Sequence, residues 1–258
     1  MSADLKGGSV ELTIDNNGVG TITFGHPASN SLPGAVLDVL AQIIDQASNN
    51  PNCTVIVLKS SGDRTFCAGA SFDELMTIQN EKEGLEFFSG FSRVILAMRR
   101  STKLIICRVQ GKAVGGGVGI AAAADYALAT SFASVKLSEL AIGIGPFVVG
   151  PAVERKIGTS AFTALAIDAA SWYDANWAKK QGLYIQIFND AESLDKAADA
   201  LALRLAASNP EAMGELKRAL WTGTEHWKTL LPERAAISGR LVLSDFTRDA
   251  INRFKASK

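Results

Sequence analysis

The stretch Gly111-Lys-Ala-Val-Gly-Gly-Gly-Val-Gly-Ile-Ala-Ala-Ala-Ala-Asp125 decides how the rest of the chain is read. It follows an apolar run, Leu104 to Val109, that has the character of a buried strand. Gly115, Gly116, Gly117 and Gly119 crowd the turn, and the alanines after them favour helix. The pattern predicts strand, tight turn, helix. Backbone N–H groups at the start of such a helix have no intrahelical partner and face whatever lies in front of them. Two uses are open at this point: holding negative charge on a small ligand, or close helix–strand packing that needs small residues.

Working outward, Val10–Ile14 and Val19–Phe24 alternate in polarity around Asp15-Asn-Asn-Gly18, which is a hairpin signal. A helix is predicted after Pro33 through Ala47, a strand over 54–58, and a tight small-residue segment over Phe66-Cys-Ala-Gly-Ala-Ser71. Residues 72–84 read as loop or broken helix, and Phe88, Phe91, Ile95 and Met98 mark the face of another helix. Short strands are expected over 126–129 and 133–136. Helices are expected over 149–157, 159–169, 174–181, 191–207, 210–221 and 232–254, interrupted by a strand over 183–188. The fold class is therefore α/β, with a nearly all-helical last third. The organisation expected is a core over 1–199 and a C-terminal helical region over 200–258 that packs on this core and on a neighbouring subunit.

The 258 residues carry 26 Lys plus Arg and 26 Asp plus Glu, and this balance argues against a general nucleic-acid binder. Three cysteines, an odd number without framework spacing, point to a reducing compartment. With no run long and apolar enough to span a bilayer and no signal-peptide core, a cytoplasmic location is expected, without membrane association.

Two small-residue turns, Ala68-Gly-Ala70 and Gly115-Gly-Gly117, each follow a strand. In an open α/β sheet, ligands collect beyond the carboxyl ends of strands. Amides from two such turns can converge on one oxygen and meet charge as it develops.

Taken together, Phe66-Cys-Ala-Gly-Ala70, Gly111-x-x-x-Gly-Gly-Gly117 ending at Ala124-Asp125, and Leu137-Ser-Glu139 with Gly143-Ile-Gly-Pro146 resemble the crotonase superfamily of enoyl-CoA hydratases and isomerases. The similarity runs from Asn30-Ser-Leu32 to Arg253-Phe-Lys255. It implies a spiral of ββα units with a C-terminal helical trimerisation region, a homotrimer or dimer of trimers, and an acyl-CoA thioester as substrate. It also implies an enolate oxygen held by the N–H groups of Ala70 and Gly116. Coenzyme A arrives as part of the substrate, so no separate cofactor and no metal are expected. The backbone around Ala68 would contact adenine. Phe254 and Lys255 match an aromatic-basic segment that contacts CoA from an adjacent subunit.

The resemblance departs from the hydratases at one place. They carry a glutamate two residues after the triple glycine, where this chain has Gly119. The second family glutamate matches Glu139. Water addition divides its work between two carboxylates, whereas moving a double bond from C3 to C2 needs one acid/base. The Δ3,Δ2-enoyl-CoA isomerases also lack the first glutamate and carry a Pro-Phe near Pro146-Phe147, offset by about one residue. These features favour an isomerase over a hydratase, with Glu139 as acid/base and Gly119, Pro146 and Phe147 lining the substrate pocket. Apolar neighbours of Glu139 would raise its pKa. The plain alternative is a surface glutamate at a strand end.

Other readings rest on single features. Cys67 invites a nucleophile role, with a buried small residue as the alternative, and neither His26 nor His226 is placed beside it by the sequence. Asp73 or Glu74 could replace the missing carboxylate, while Asp125 reads as structural. Gly117-Val-Gly-Ile-Ala-Ala122 fits a dinucleotide fingerprint, with Glu139 about 20 residues on, but it does not open a βαβ domain. A catalytically reduced CoA-binding scaffold is the third possibility.

Overall fold

The computed structural model describes residues 5–256, with side chains through Arg253. Alternation around Asp15 produces the β1 (Ser9–Ile14) and β2 (Val19–Gly25) hairpin, and Asp15 Oδ1 accepts from the amides of Asn17 and Val19 to close its turn. Next come β3 (Ser31–Leu32) and the amphipathic α1 (Gly34–Asn49). They are followed by β4 (Val55–Ser60), β5 (Thr65–Cys67), β6 (Gly69–Ala70), α2 (Phe72–Leu75) and α3 (Glu81–Arg100). The two turns at the centre of the sequence belong to a repeating unit. β7 (Leu104–Val109), β8 (Lys112–Val114) and α4 (Gly116–Ala123) form one copy; β9 (Tyr126–Thr130), β10 (Ser134–Lys136) and α5 (Gly150–Ile167) form the next.

Each unit gives its first strand to one sheet and its second to another. The large sheet runs β1-β2-β4-β7-β9-β12, where β12 is Gln186–Phe188; only its β1–β2 pair is antiparallel. The small sheet runs β11-β10-β8-β5, where β11 is Tyr173–Asp174, and β3 pairs with β6 beside it. This is the expected spiral of ββα units. Parallel neighbours require a crossover, and each helix supplies one. β7 is buried along its whole length because both of its faces are covered.

The remaining elements are α6 (Ala175–Lys180), α7 (Ala191–Ala206), α8 (Pro210–Leu220), α9 (Trp227–Leu241) and α10 (Asp245–Ala256). The boundary expected at 199/200 falls inside α7, whose Leu194, Ala198 and Ala202 pack on Val55, Val57 and Ile106 of the large sheet. Trp221, Trp227, Leu231 and Ala235 join the main core, so the C-terminal helices cover their own chain. The helix expected over 232–254 is two helices. α9 starts before Pro232 and accommodates it, and Ser244 Oγ accepts from the Thr247 amide where α10 begins. At 159–169 the expected break holds, because Gly158 (φ 75°) kinks α5.

Asp125, at the end of α4, fastens α8 to this core. Its Oδ2 accepts from Lys217 Nζ at 2.8 Å and from the Ile105 amide at 2.7 Å, and its Oδ1 accepts from Trp221 Nε1 at 2.8 Å. The Lys217 and Asp125 side chains are 2% and 5% exposed. Burial pulls the Lys217 ammonium below its ordinary pKa, and Asp125 opposes that shift. Removing one partner of such a pair strands the other charge out of water. Asp125→Ala is therefore expected to lower unfolding free energy by about 3–5 kcal/mol in equilibrium urea denaturation, and Lys217→Met added to it should recover part of the loss.

Candidate active site

The small sheet and the β3–β6 pair beside it bring the separate sequence segments to one place. β6 ends at Ala70, β8 at Val114 and β10 at Lys136; the chain continues from these ends into α2, the glycine turn and the segment carrying Glu139. Parallel pairing of Val135 with Ala113 and of Lys136 with Val114 sets the last two ends side by side. Asn30 anchors the first arm. Its Nδ2 donates to Ser61 O and Thr65 O, its carbonyl accepts from the Ala68 amide, and Leu32 O accepts from the Ser71 amide.

The arms meet closely. A Cβ built on Gly69 would stand 3.2 Å from Val114 O and 3.8 Å from the Gly116 nitrogen. One built on Gly115 would stand 2.8 Å from Glu139 Oε1. Gly115 also has φ 51° and ψ −111°, a backbone shape that calls for glycine, and its amide donates to Lys136 O. As the first residues of α4, Gly116 and Gly117 have amides without an intrahelical acceptor, while those of Val118 and Gly119 turn back to Gly115 O. Glu139 and the two turns therefore share one site.

Glu139 caps a short 3₁₀ turn, Leu140–Ile142, and its carbonyl accepts from the amides of Ile142 and Ile144. The residue is partly exposed, but its carboxylate is not: Oε2 is buried without a hydrogen-bond partner. Among the described residues no cation pairs with it. Desolvation pushes its pKa up to about 7, against a smaller downward pull from its own backbone amide.

The structure places the other candidates individually. Gly119 is buried inside α4 and does not face an open pocket. A Cβ there would stand 2.5 Å from Val149 Cγ1 and 3.5 Å from Ile95 Cδ1, so the volume is already filled. Pro146 and Phe147 line a cavity of about 320 Å³ with Phe162 and Arg234, and Glu139 is not part of its wall. Ala68 lies between β5 and β6. The side chains of Phe254 and Lys255 lie outside the described residues. Cys67 is fully buried, with its thiol pushed up to about 12 by desolvation, which removes the nucleophile reading. His26 is engaged with Lys6 O and the Ala28 amide. Asp73 is exposed, and the Glu74 carboxylate is engaged, accepting from the Gly34 amide and from Lys6. The dinucleotide reading also fails, because α4 is buried throughout and Glu139 faces Gly115.

Sequence reasoning missed Val149 and Phe91. Cζ of Phe91 would stand 2.1 Å from a Cβ on Gly116. The available signal was negative: where glycine stands in a buried helix, some larger side chain must take its room.

Two sheets wound from ββα units, with a buried carboxylate beside a glycine turn, define an enzyme of the crotonase superfamily. More narrowly, the chain belongs to the enoyl-CoA hydratase/isomerase family, whose sequence pattern matches residues 15–251. YngF of Bacillus subtilis (strain 168), which carries the enoyl-CoA hydratase/isomerase name, is 30% identical over 221 residues, covering 85% of this chain and 84% of its own. The short-chain-enoyl-CoA hydratase of Clostridium acetobutylicum is 26% identical, covering 92% of this chain and 90% of its own. Among solved structures, an enoyl-CoA hydratase from Mycobacterium avium superposes with a TM-score of 0.85 at 26% identity, covering 96% of each chain.

Glu139 binds its proton more tightly folded than unfolded, so it penalises folding once deprotonated, and the penalty grows as pH rises from the ordinary carboxylate range through about 7. Glu139→Gln is therefore expected to raise the melting temperature at pH 8 and to change it little at pH 4.5, measured by differential scanning calorimetry. Gly119→Glu must displace Val149, and its melting temperature is expected to fall by several degrees, with Val149→Ala restoring part of it.

Proposed function

We propose that this protein isomerises a 3-enoyl-CoA thioester to the 2-enoyl-CoA, with Glu139 as the single acid/base and the amides of Ala70 and Gly116 as the oxyanion hole. The observation that carries this reading is the lone carboxylate with an unpartnered buried oxygen beside Gly115. Ionised Glu139 takes a proton from C2. The electron pair moves into the thioester carbonyl, leaving a dienolate whose oxygen is met by two fixed N–H dipoles. The carboxylic acid then returns the proton to C4, and the double bond comes to rest between C2 and C3. Base and acid are one group, so a pKa near neutrality suits both half-reactions.

Water addition requires a second group to orient and activate water. Gly119, where hydratases carry an acid, has no functional side chain, and its surroundings are Val149 and Ile95. Uncompensated burial of Glu139 also favours an uncharged acyl group, because a second carboxylate on the substrate would meet a like charge with no cation alongside. The reading includes the homotrimer and the cytoplasmic location expected from the sequence.

Incubation with 3-enoyl-CoA and 2-enoyl-CoA separately tests it. The 3-enoyl substrate should gain conjugated-thioester absorbance, with kcat/KM rising through about pH 7 as Glu139 ionises. Glu139→Gln should lower kcat by about 10³-fold or more while CoA-thioester binding persists. Rapid hydration of the 2-enoyl substrate with no change in the 3-enoyl substrate would overturn the assignment in favour of a hydratase.

A further inference from the structure

One of the two proposed oxyanion donors packs against a side chain from outside the two turns. Phe91, in α3, is 5% exposed, and its ring points end-on at Gly116. A Cβ built on Gly116 would lie 2.1, 2.3 and 2.4 Å from Phe91 Cζ, Cε1 and Cε2, so the ring tip rests against the Gly116 backbone.

The ring has no room to retreat. The preceding residue, Gly90, is packed on Leu37 of α1, where a Cβ would stand 2.7 Å from Leu37 Cδ1. Two residues on, Arg93 Nε donates to Asp38 Oδ1 at 2.6 Å and ties α3 to α1 again. On the far side, the turn is fixed by the bond from the Gly115 amide to Lys136 O and by Gly117, where a Cβ would stand 2.5 Å from Cys67 O. The Gly116 peptide is thus clamped between the small sheet and an aromatic ring backed by a helix.

We propose that Phe91 is a positioning residue that fixes the Gly116 amide for the developing oxyanion. This rests on the function proposed above. An amide donor contributes through fixed direction, so a slackened turn loses transition-state stabilisation while ground-state binding survives. Phe91→Leu shortens the ring tip and frees the turn. Phe91→Tyr adds a hydroxyl at the atom already in contact and pushes the turn away. Both changes misplace the same donor.

The test combines kinetics with a spectrum. Cinnamoyl-CoA bound to the wild-type protein should show a red-shifted absorbance, because donors at the carbonyl polarise its conjugated system. In Phe91→Leu, kcat for 3-enoyl-CoA should fall about tenfold, a fraction of the roughly 10²–10³ associated with losing a whole donor. KM should stay within about twofold, and the red shift should shrink. Phe91→Tyr should show the same signs. A folded Phe91→Leu protein with wild-type kcat and red shift overturns the proposal. If Phe91→Leu does not fold, Phe91→Met, closer to Phe in volume, carries the same expectations.

A second measurement is independent of the reaction. Gly116→Ala should lower the melting temperature by forcing its methyl into the ring, and adding Phe91→Ala should raise it again. Additive losses would refute the contact itself. If that suppression is seen but the wild-type protein turns over neither enoyl substrate and leaves the cinnamoyl spectrum unshifted, the assigned reaction has failed and the clamp has not.

Discussion

A carboxylate removed from water without a cation beside it is the constraint on which the site depends. Burial normally forces such a group to find a hydrogen-bond donor or a counter-charge. Glu139 has neither on Oε2, and its raised pKa expresses that unfavourable state. Asp125 provides the contrast within the same molecule. It too is removed from solvent, yet three donors surround it, one of them the charged Lys217 ammonium. One acid is built into the scaffold, and the other is left without a partner on Oε2.

The spiral makes this arrangement possible. Each ββα unit deposits a short strand in the small sheet, and parallel pairing makes the strand ends point the same way. Segments around residues 70, 116 and 139 become neighbours at these ends. The large sheet and its helices bury the apolar mass, leaving the small sheet to set register. The site's precision therefore comes from backbone pairing. The carboxylate set among these strand ends keeps a buried oxygen without a hydrogen-bond partner.

Much of this was legible in the sequence because it depends on local chemistry. The Asp15–Gly18 turn, the amphipathic faces of α1 and α3, the glycine turn before α4 and the break at Gly158 each follow from residue type and spacing. β3, β5, β6, β8 and β11 were not legible as strands. With two or three residues each, they are too short to display alternation, and their partners lie far away in sequence. The split between α9 and α10 was hidden by an apolar pattern that continues across it, while Pro232 suits an early position in a helix as well as a start. Glu139 could be placed beside the glycine turn only through resemblance. Its burial follows from the register of β8 with β10, which no local rule contains.

Gly119 links the packing to the chemistry. Where a hydratase would spend an acidic side chain, this chain has a buried glycine, and Val149 and Ile95 occupy the space. The interior around Gly119 is packed accordingly, because dense interiors do not tolerate an unfilled gap of that size. A simple return of the acid meets Val149 before it meets substrate. The same logic acts one turn earlier in α4, where Phe91 fills the space in front of Gly116 and stiffens the peptide that carries a donor. Small residues in α4 thus have two consequences. At Gly116 the vacant side-chain position admits the tip of an aromatic ring, and at Gly119 it admits the aliphatic groups of Val149 and Ile95.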